Sequence, residues 1–155
     1  MASRDIEHLT QSVKEKYLLF KERMDEAGLP FIVTCTSRSE MEQLALYAQG
    51  RLTLRTVNRI RAVMCDMALI SPEENRHPVT WTLASRHVVT YTRPRSDAFD
   101  IALLKYGRPH WNLKVDVNGD EIPDYIQAAE IGIGCGLTAG AFFERPDYCH
   151  FQEGA

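Results

Sequence analysis

Six apolar residues, Ile6, Leu9, Val13, Tyr17, Phe20 and Met24, return at steps of three and four. The pattern stops at Gly28 and Pro30 and gives way to a short run rich in β-formers, Phe31-Ile32-Val33-Thr34-Cys35. A helical stripe followed closely by a buried strand predicts one face of an amphipathic helix packed on a sheet. Two more helical patterns follow. Ser39 and Glu42 form a capping box ahead of the stripe Met41, Leu44, Ala45, Ala48, which Gly50 closes. Val57, Ile60, Val63, Met64 and Met67 then suggest a third helix ending before Ser71-Pro72. Strand-like runs dominate afterwards, at Pro78 to Thr82, Ala98 to Leu104, Trp111 to Val115 and near Tyr148 to Phe151, with one helix expected over about 124–133. Helices first and strands mostly later predict an α+β fold, with helices packed on a small antiparallel sheet.

The 155 residues suit one domain, expected to span 1–155, and no repeat or linker interrupts them. A net charge of −3 and no basic stripe argue against a nucleic-acid partner. Arg51, Arg55, Arg59 and Arg61 read as a solvated helix face. No apolar stretch is long enough to cross a membrane, and Met1 to Asp5 opens no apolar signal core. The expectation is therefore a monomer made in the cytoplasm without an export signal. Cys35, Cys65, Cys135 and Cys149 form no C-x-x-C pair and read as free, mostly buried thiols.

The chemistry concentrates in a few places. Asp147-Tyr148-Cys149-His150-Phe151 sets a carboxylate three residues before a histidine, and Ser85-Arg86-His87 with Ala98-Phe99-Asp100-Ile101 supplies a second histidine and carboxylate. Two histidines and an aspartate make a three-ligand zinc set with a fourth position open, and a spare carboxylate can serve as a base. That combination reads as a zinc hydrolase.

Four segments in order carry a resemblance. Arg38-Ser39-Glu40-Met41-Glu42-Gln43 followed by Leu46-Tyr47-Ala48-Gln49-Gly50-Arg51 resembles an R-S-x-x-E-Q…L-Y-x-Q-G-R helix. Ser85-x-His87 with Ala98-x-Asp100 resembles S-x-H-x-x-G-x-A-x-D, and Ala129-Glu130-Ile131-Gly132 with Gly136 to Gly140 resembles E-I-G…G-L-x-W-G-G. Asp147 to Phe151 resembles a terminal D-x-x-H-F. These are motifs of the zinc peptidases that cut peptidoglycan stem peptides, the D-alanyl-D-alanine carboxypeptidase and L-alanyl-D-glutamate endopeptidase group that includes many phage endolysins. The resemblance covers roughly residues 31 to 152. It implies His87, Asp100 and His150 as zinc ligands on the sheet, and Asp147 as the general base toward the attacking water. It implies Arg38 as the cation that steadies the carbonyl oxygen as it gains charge. Arg38, Gln43 and Ser85 are implied on the substrate side, with Ser85 a hydrogen-bonding support rather than a nucleophile.

The chain departs from that pattern in three ways. Asp100 follows His87 by thirteen residues where the family has seven, so Val88 to Ser96 must loop out around Arg93-Pro94-Arg95. The insertion creates a rival ligand in Asp97, but Asp100 keeps the A-x-D frame and is preferred. Ala139 stands where the family has Trp, which is expected to leave room in the substrate cleft. If residues 147–150 were extended, Asp147 and His150 would point to opposite faces, so this segment must turn. Cys149 reads as a buried neighbour of the site.

Oxygen-bearing side chains at Asp116, Asn118, Asp120 and Asp124 resemble a short calcium loop, although Glu121 sits where such loops carry Gly. The alternative is an Asn118-Gly119 turn with Asp124 capping the last helix. His77 and His110 lack partners at ligand spacing and read as structural. The sequence thus points to a zinc peptidase acting on peptidoglycan stem peptides, with an L-alanyl-D-glutamate endopeptidase of phage or prophage endolysin type preferred. A D-Ala-D-Ala carboxypeptidase and a non-catalytic zinc-binding domain on the same scaffold are the alternatives.

Overall fold

A computed structural model describes residues 2–155. Helix α1 spans Gln11–Glu26, with the Thr10 hydroxyl accepting from the Val13 amide at its start. Ile6 and Leu9 fall before it. They belong to a single 3-10 turn and an extended residue, so the apolar stripe starts before the helix does. Gly28, at φ +70, lets the chain turn back into β1, Phe31–Cys35. The expected capping box holds: Ser39 accepts from the Glu42 amide and Glu42 accepts from the Ser39 amide at the head of α2, Glu40–Ala48.

Helix α3, Leu54–Met64, departs from its apolar pattern. Val63 and Met64 are exposed and Met67 lies beyond the helix, whereas Arg61 is buried. Its guanidinium donates to the Ala68 carbonyl at 2.6 Å, a backbone acceptor that no helical count reveals. The solvated-face reading of the arginine cluster is thus corrected at Arg61.

The sheet runs β1-β2-β5-β4, with β3 hydrogen-bonded to β2 as well. Here β2 is Ala98–Lys105, β3 Arg108–His110, β4 Thr138–Ala139 and β5 His150–Gln152. Every pairing is antiparallel. β2 and β3 join through Tyr106 and Gly107, both at positive φ (52 and 74), the conformation a two-residue hairpin demands. A tyrosine at such a position hides the turn from a sequence reading. The strand expected at Trp111 to Val115 is accordingly absent, displaced to Arg108–His110. Pro78 to Thr82 forms no strand either. Side chains, not a neighbouring strand, satisfy its carbonyls: Gln43 donates to Thr82 (2.6 Å) and Arg51 to Thr80 (3.1 Å).

Helices α1 and α4, the latter Asp124–Gly134, share one apolar core with the sheet. Phe99, Ile101 and Leu103 alternate along β2 and are buried there with Phe20, Tyr17 and Phe151. Phe99 and Phe151 stack at 5.4 Å with their planes 14° apart. Alternation puts Asp100 on the opposite face of the strand. Core and chemistry therefore occupy opposite sides of the same sheet. No helix among the described residues is long and apolar enough to cross a membrane.

Candidate metal centre and cleft

Strand register assembles most of the site. Cys35 on β1 pairs with Asp100 on β2, and Asp100 pairs with His150 on β5. Three chemically active residues thus lie abreast across adjacent strands, where paired side chains emerge on one face. His87 joins them from the loop before β2. The Arg38 amide fixes that loop by donating to the His87 carbonyl at 3.0 Å, and Val89 donates back to the Arg38 carbonyl at 3.0 Å. His87 is 2 % exposed.

The donor atoms converge. His87 Nε2 lies 3.0 Å from Asp100 Oδ1 and 3.2 Å from His150 Nδ1, and His150 Nδ1 is 2.9 Å from the same Asp100 oxygen. Each imidazole is held from behind. His87 Nδ1 faces the Thr36 carbonyl at 3.1 Å, and His150 Nε2 faces Gln152 Oε1 at 2.9 Å. A ring nitrogen donating to such an acceptor leaves the lone pair of the other nitrogen aimed into the site, the usual support of a metal-ligating histidine. The set of nitrogen, carboxylate and sulfur donors suits zinc, and these separations suit one ion with bonds of roughly 2.0–2.3 Å. The residues fit the group that the sequence implied.

Cys35 is the residue the sequence reading missed. Ligand atoms of Cys35, His87 and Asp100 all lie within 4.8 Å of one another, so this cluster could also hold a metal. The three are separated widely in sequence, and only the β1–β2 register reveals Cys35. Cys149, by contrast, has its thiol pushed up to about 11 by burial and by the charges of Asp147 and Asp100. Among the described residues all four cysteines are free.

Asp97, the rival ligand, points elsewhere: its Oδ2 accepts from Arg86 Nη1 at 2.8 Å. Asp100 shares the centre with both histidines. Burial pushes the His87 imidazole down, but the hydrogen bond and charge of Asp100 more than offset it and lift it to about 10. Burial works against the Asp100 carboxylate too. The hydrogen bonds from His150 and His87 win and hold it far below the usual range.

Arg38 lies across the mouth of the centre. Its Nη2 is 3.2 Å from Cys35 Sγ and 3.6 Å from Asp100 Oδ2, and its Nη1 donates to Gln43 Oε1 at 3.2 Å. Gln43 is 1 % exposed, with its amide nitrogen directed at Thr82 and Thr80. It stands behind Arg38 and the 80–82 loop rather than on the cleft wall. Ser85 does line the cleft, and its hydroxyl accepts from the His87 amide at 3.3 Å.

Asp147 sits on the opposite lip. The expected turn is present: His150 N donates to the Asp147 carbonyl at 3.2 Å, which brings both residues to the same cleft. The surrounding protein pushes the Asp147 carboxyl up from its ordinary value, and the nearby Asp100 charge adds to this. Gly140 makes the close approach possible. A Cβ there would lie 2.4 Å from the Asp147 carbonyl oxygen. Ala139 is buried in β4 opposite Phe151 and does not reach the cleft, so the missing Trp does not widen it.

In the acidic loop the carboxylates are engaged with backbone amides. Asp116 accepts from Gly119, Asp120 and Glu121, and Asp124 accepts from Val117. Asn118 directs its amide nitrogen to Ala27 O and Gln127 Oε1. Asp124 is the first residue of α4, and no side chain caps this helix. His110 packs edge-on against Tyr125, whose hydroxyl donates to the His110 carbonyl at 2.6 Å.

No family model and no curated protein matches the chain. Among solved structures it is similar to the L-Ala D-Glu endopeptidase ChiX of Serratia marcescens, with a TM-score of 0.56 at 17% identity. The match covers 99% of this chain and 89% of the other. At that identity the likeness establishes a shared fold.

Proposed function

We propose that this chain is a zinc-dependent peptidase that hydrolyses peptidoglycan stem peptides, with the L-alanyl-D-glutamate bond as the preferred target and a phage or prophage endolysin as the biological setting. The observation that carries the reading is the convergence of His87 Nε2, Asp100 Oδ1 and His150 Nδ1 within 3.2 Å, each imidazole backed by an acceptor. The fold shared with an enzyme named as an L-Ala D-Glu endopeptidase supports the choice of substrate.

In this reading His87, Asp100 and His150 hold zinc, which supplies Lewis acidity and a nucleophilic water at neutral pH. The rest falls to the protein. Asp147, on the cleft beside His150, takes the proton of the attacking water and returns it to the leaving amine. Arg38, held by Gln43, meets the carbonyl oxygen as negative charge builds on it. Ser85 fixes the backbone of His87 and lines the cleft. The test is release of new amino termini from purified peptidoglycan, with mass spectrometry locating the cut. Cleavage at a D-Ala-D-Ala terminus alone would reassign the enzyme as a carboxypeptidase.

Cys35 favours a second reading. Cys35, His87 and Asp100 form a three-donor cluster of their own, and thiolate ligands are characteristic of structural zinc sites. A zinc-binding domain without activity would then retain metal through sulfur. Cobalt substitution separates the two: a thiolate-to-cobalt charge-transfer band that vanishes in Cys35→Ser, but not in Cys149→Ser, would identify the cysteine-ligated site.

A further inference from the structure

Three arginines line the cleft: Arg38, Arg86 and Arg145. Two are occupied. Arg38 is directed at Asp100, Cys35 and Gln43. Arg86 is bound to Asp97 at 2.8 Å and to the Ala155 carbonyl at 2.5 Å. Arg145 differs, because among the described residues it makes neither an ion pair nor a hydrogen bond. Its one contact of note is with an aromatic face: the guanidinium carbon lies 5.0 Å from the centre of the Trp81 ring.

That contact joins the two lips of the cleft. Trp81 belongs to the 79–82 loop, and Arg145 belongs to the segment that carries Asp147 two residues later. Trp81 is 63% exposed, unusual for so large an apolar ring, yet it is not loosely placed. Arg51 approaches its ring at 5.7 Å, and Arg51 is itself fixed by donation to the Tyr47 and Thr80 carbonyls and by stacking at 4.1 Å over Tyr47. The anchored side is Tyr47-Arg51-Trp81, and the unanchored cation is Arg145. A guanidinium stacked on an indole keeps its edge free for a planar, bidentate acceptor.

We infer that Arg145, steadied on Trp81, binds a free carboxylate on the substrate peptide next to the bond being cut, so that the cleft selects peptides carrying a carboxylate there over those carrying the carboxamide. The inference rests on the peptidase reading above and names what that site discriminates. A carboxylate accepts both guanidinium N–H groups, whereas a carboxamide offers one oxygen and turns an NH2 toward a cation. Glu144 and Asp147 also line the cleft and oppose an anion, so the attraction must come from Arg145 itself.

The experiment uses the zinc-loaded full chain and two synthetic stem peptides that differ in one group: a D-glutamate α-carboxylate or its amide. A charge-assisted hydrogen bond predicts about a tenfold or greater preference for the carboxylate in kcat/KM, expressed mainly in KM. Arg145→Gln should bring the ratio between the two peptides to about one, and Arg145→Lys should retain part of it. Trp81→Phe should keep the preference and Trp81→Ala should weaken it. Zinc content and melting temperature check that the variants are folded. Wild-type cleavage of both peptides at equal efficiency, or an Arg145→Gln enzyme with the original ratio, would overturn this inference and leave the peptidase reading intact. Cleavage of neither peptide would overturn both.

Discussion

The centre and its lips are built in different ways. Cys35, Asp100 and His150 are set by strand register, with Phe99, Ile101 and Phe151 packed immediately behind them. Asp147, Arg145 and Trp81 stand on loops whose backbone is tied at a few points, such as Asp147 N to Gly140 O at 2.8 Å and Gln43 to Thr82. His87 is intermediate, a loop residue made rigid by two backbone hydrogen bonds to Arg38. In the proposed reading the two tasks are separable: the sheet would supply fixed donors for a metal, and the loops would supply the proton acceptor and the substrate contacts.

Breaking the sheet row should have the largest effect. Asp100→Ala and His150→Ala are expected to lose metal and activity together, measured by metal analysis and peptidoglycan hydrolysis on the same samples. Asp97→Ala should keep most of both, since Asp97 is paired with Arg86. A lip residue should behave otherwise. Asp147→Asn is expected to lower kcat by about 10²–10⁴-fold while metal content stays near that of wild type. Next comes Arg38→Ala, with metal retained and turnover reduced by roughly 10²–10³-fold, the usual cost of one oxyanion donor.

Two smaller effects sharpen the boundary between the regions. Gly140→Ala would press a methyl group on the Asp147 carbonyl at 2.4 Å, which backbone cannot yield cheaply. Overpacking of this kind costs about 1–3 kcal/mol, readable as a lower midpoint in urea, and it should displace His150 as well as Asp147, since the added methyl would lie 3.0 Å from His150 Cβ. The pH dependence is specific to the sheet. In the metal-free chain the His87 imidazole titrates near 10, above its free value of 6.5. Its contribution to stability is complete below the free value and is lost as pH rises through about 10. Metal uptake runs the other way, since the proton must leave first. Zinc affinity should therefore tighten toward alkaline pH with proton release, measurable by calorimetry in buffers of different ionisation enthalpy.

Local signals in the sequence identified β1, the Ser39–Glu42 capping box and the helix beginning at Asp124, because each depends on neighbours within a few positions. The His87–Asp100–His150 grouping was legible too, through ordered motifs rather than spacing, and the inserted loop did not hide it. What escaped was set by distant partners. Cys35 reaches the centre only through pairing with Asp100, and the strand-like run Pro78 to Thr82 gives its carbonyls to the distant side chains of Gln43 and Arg51. Tyr106 at positive φ concealed the β2–β3 hairpin, and Arg61 was drawn inward by the Ala68 carbonyl.

The central claim is that the sheet row holds a metal on which peptide hydrolysis depends. Chelation followed by reconstitution, with metal content and release of amino termini from purified peptidoglycan measured at each step, tests it most directly. The account predicts one zinc per loaded chain, loss of hydrolysis as that zinc is removed, and recovery when zinc is restored. Hydrolysis at the original rate from a chain stripped completely of metal would contradict it.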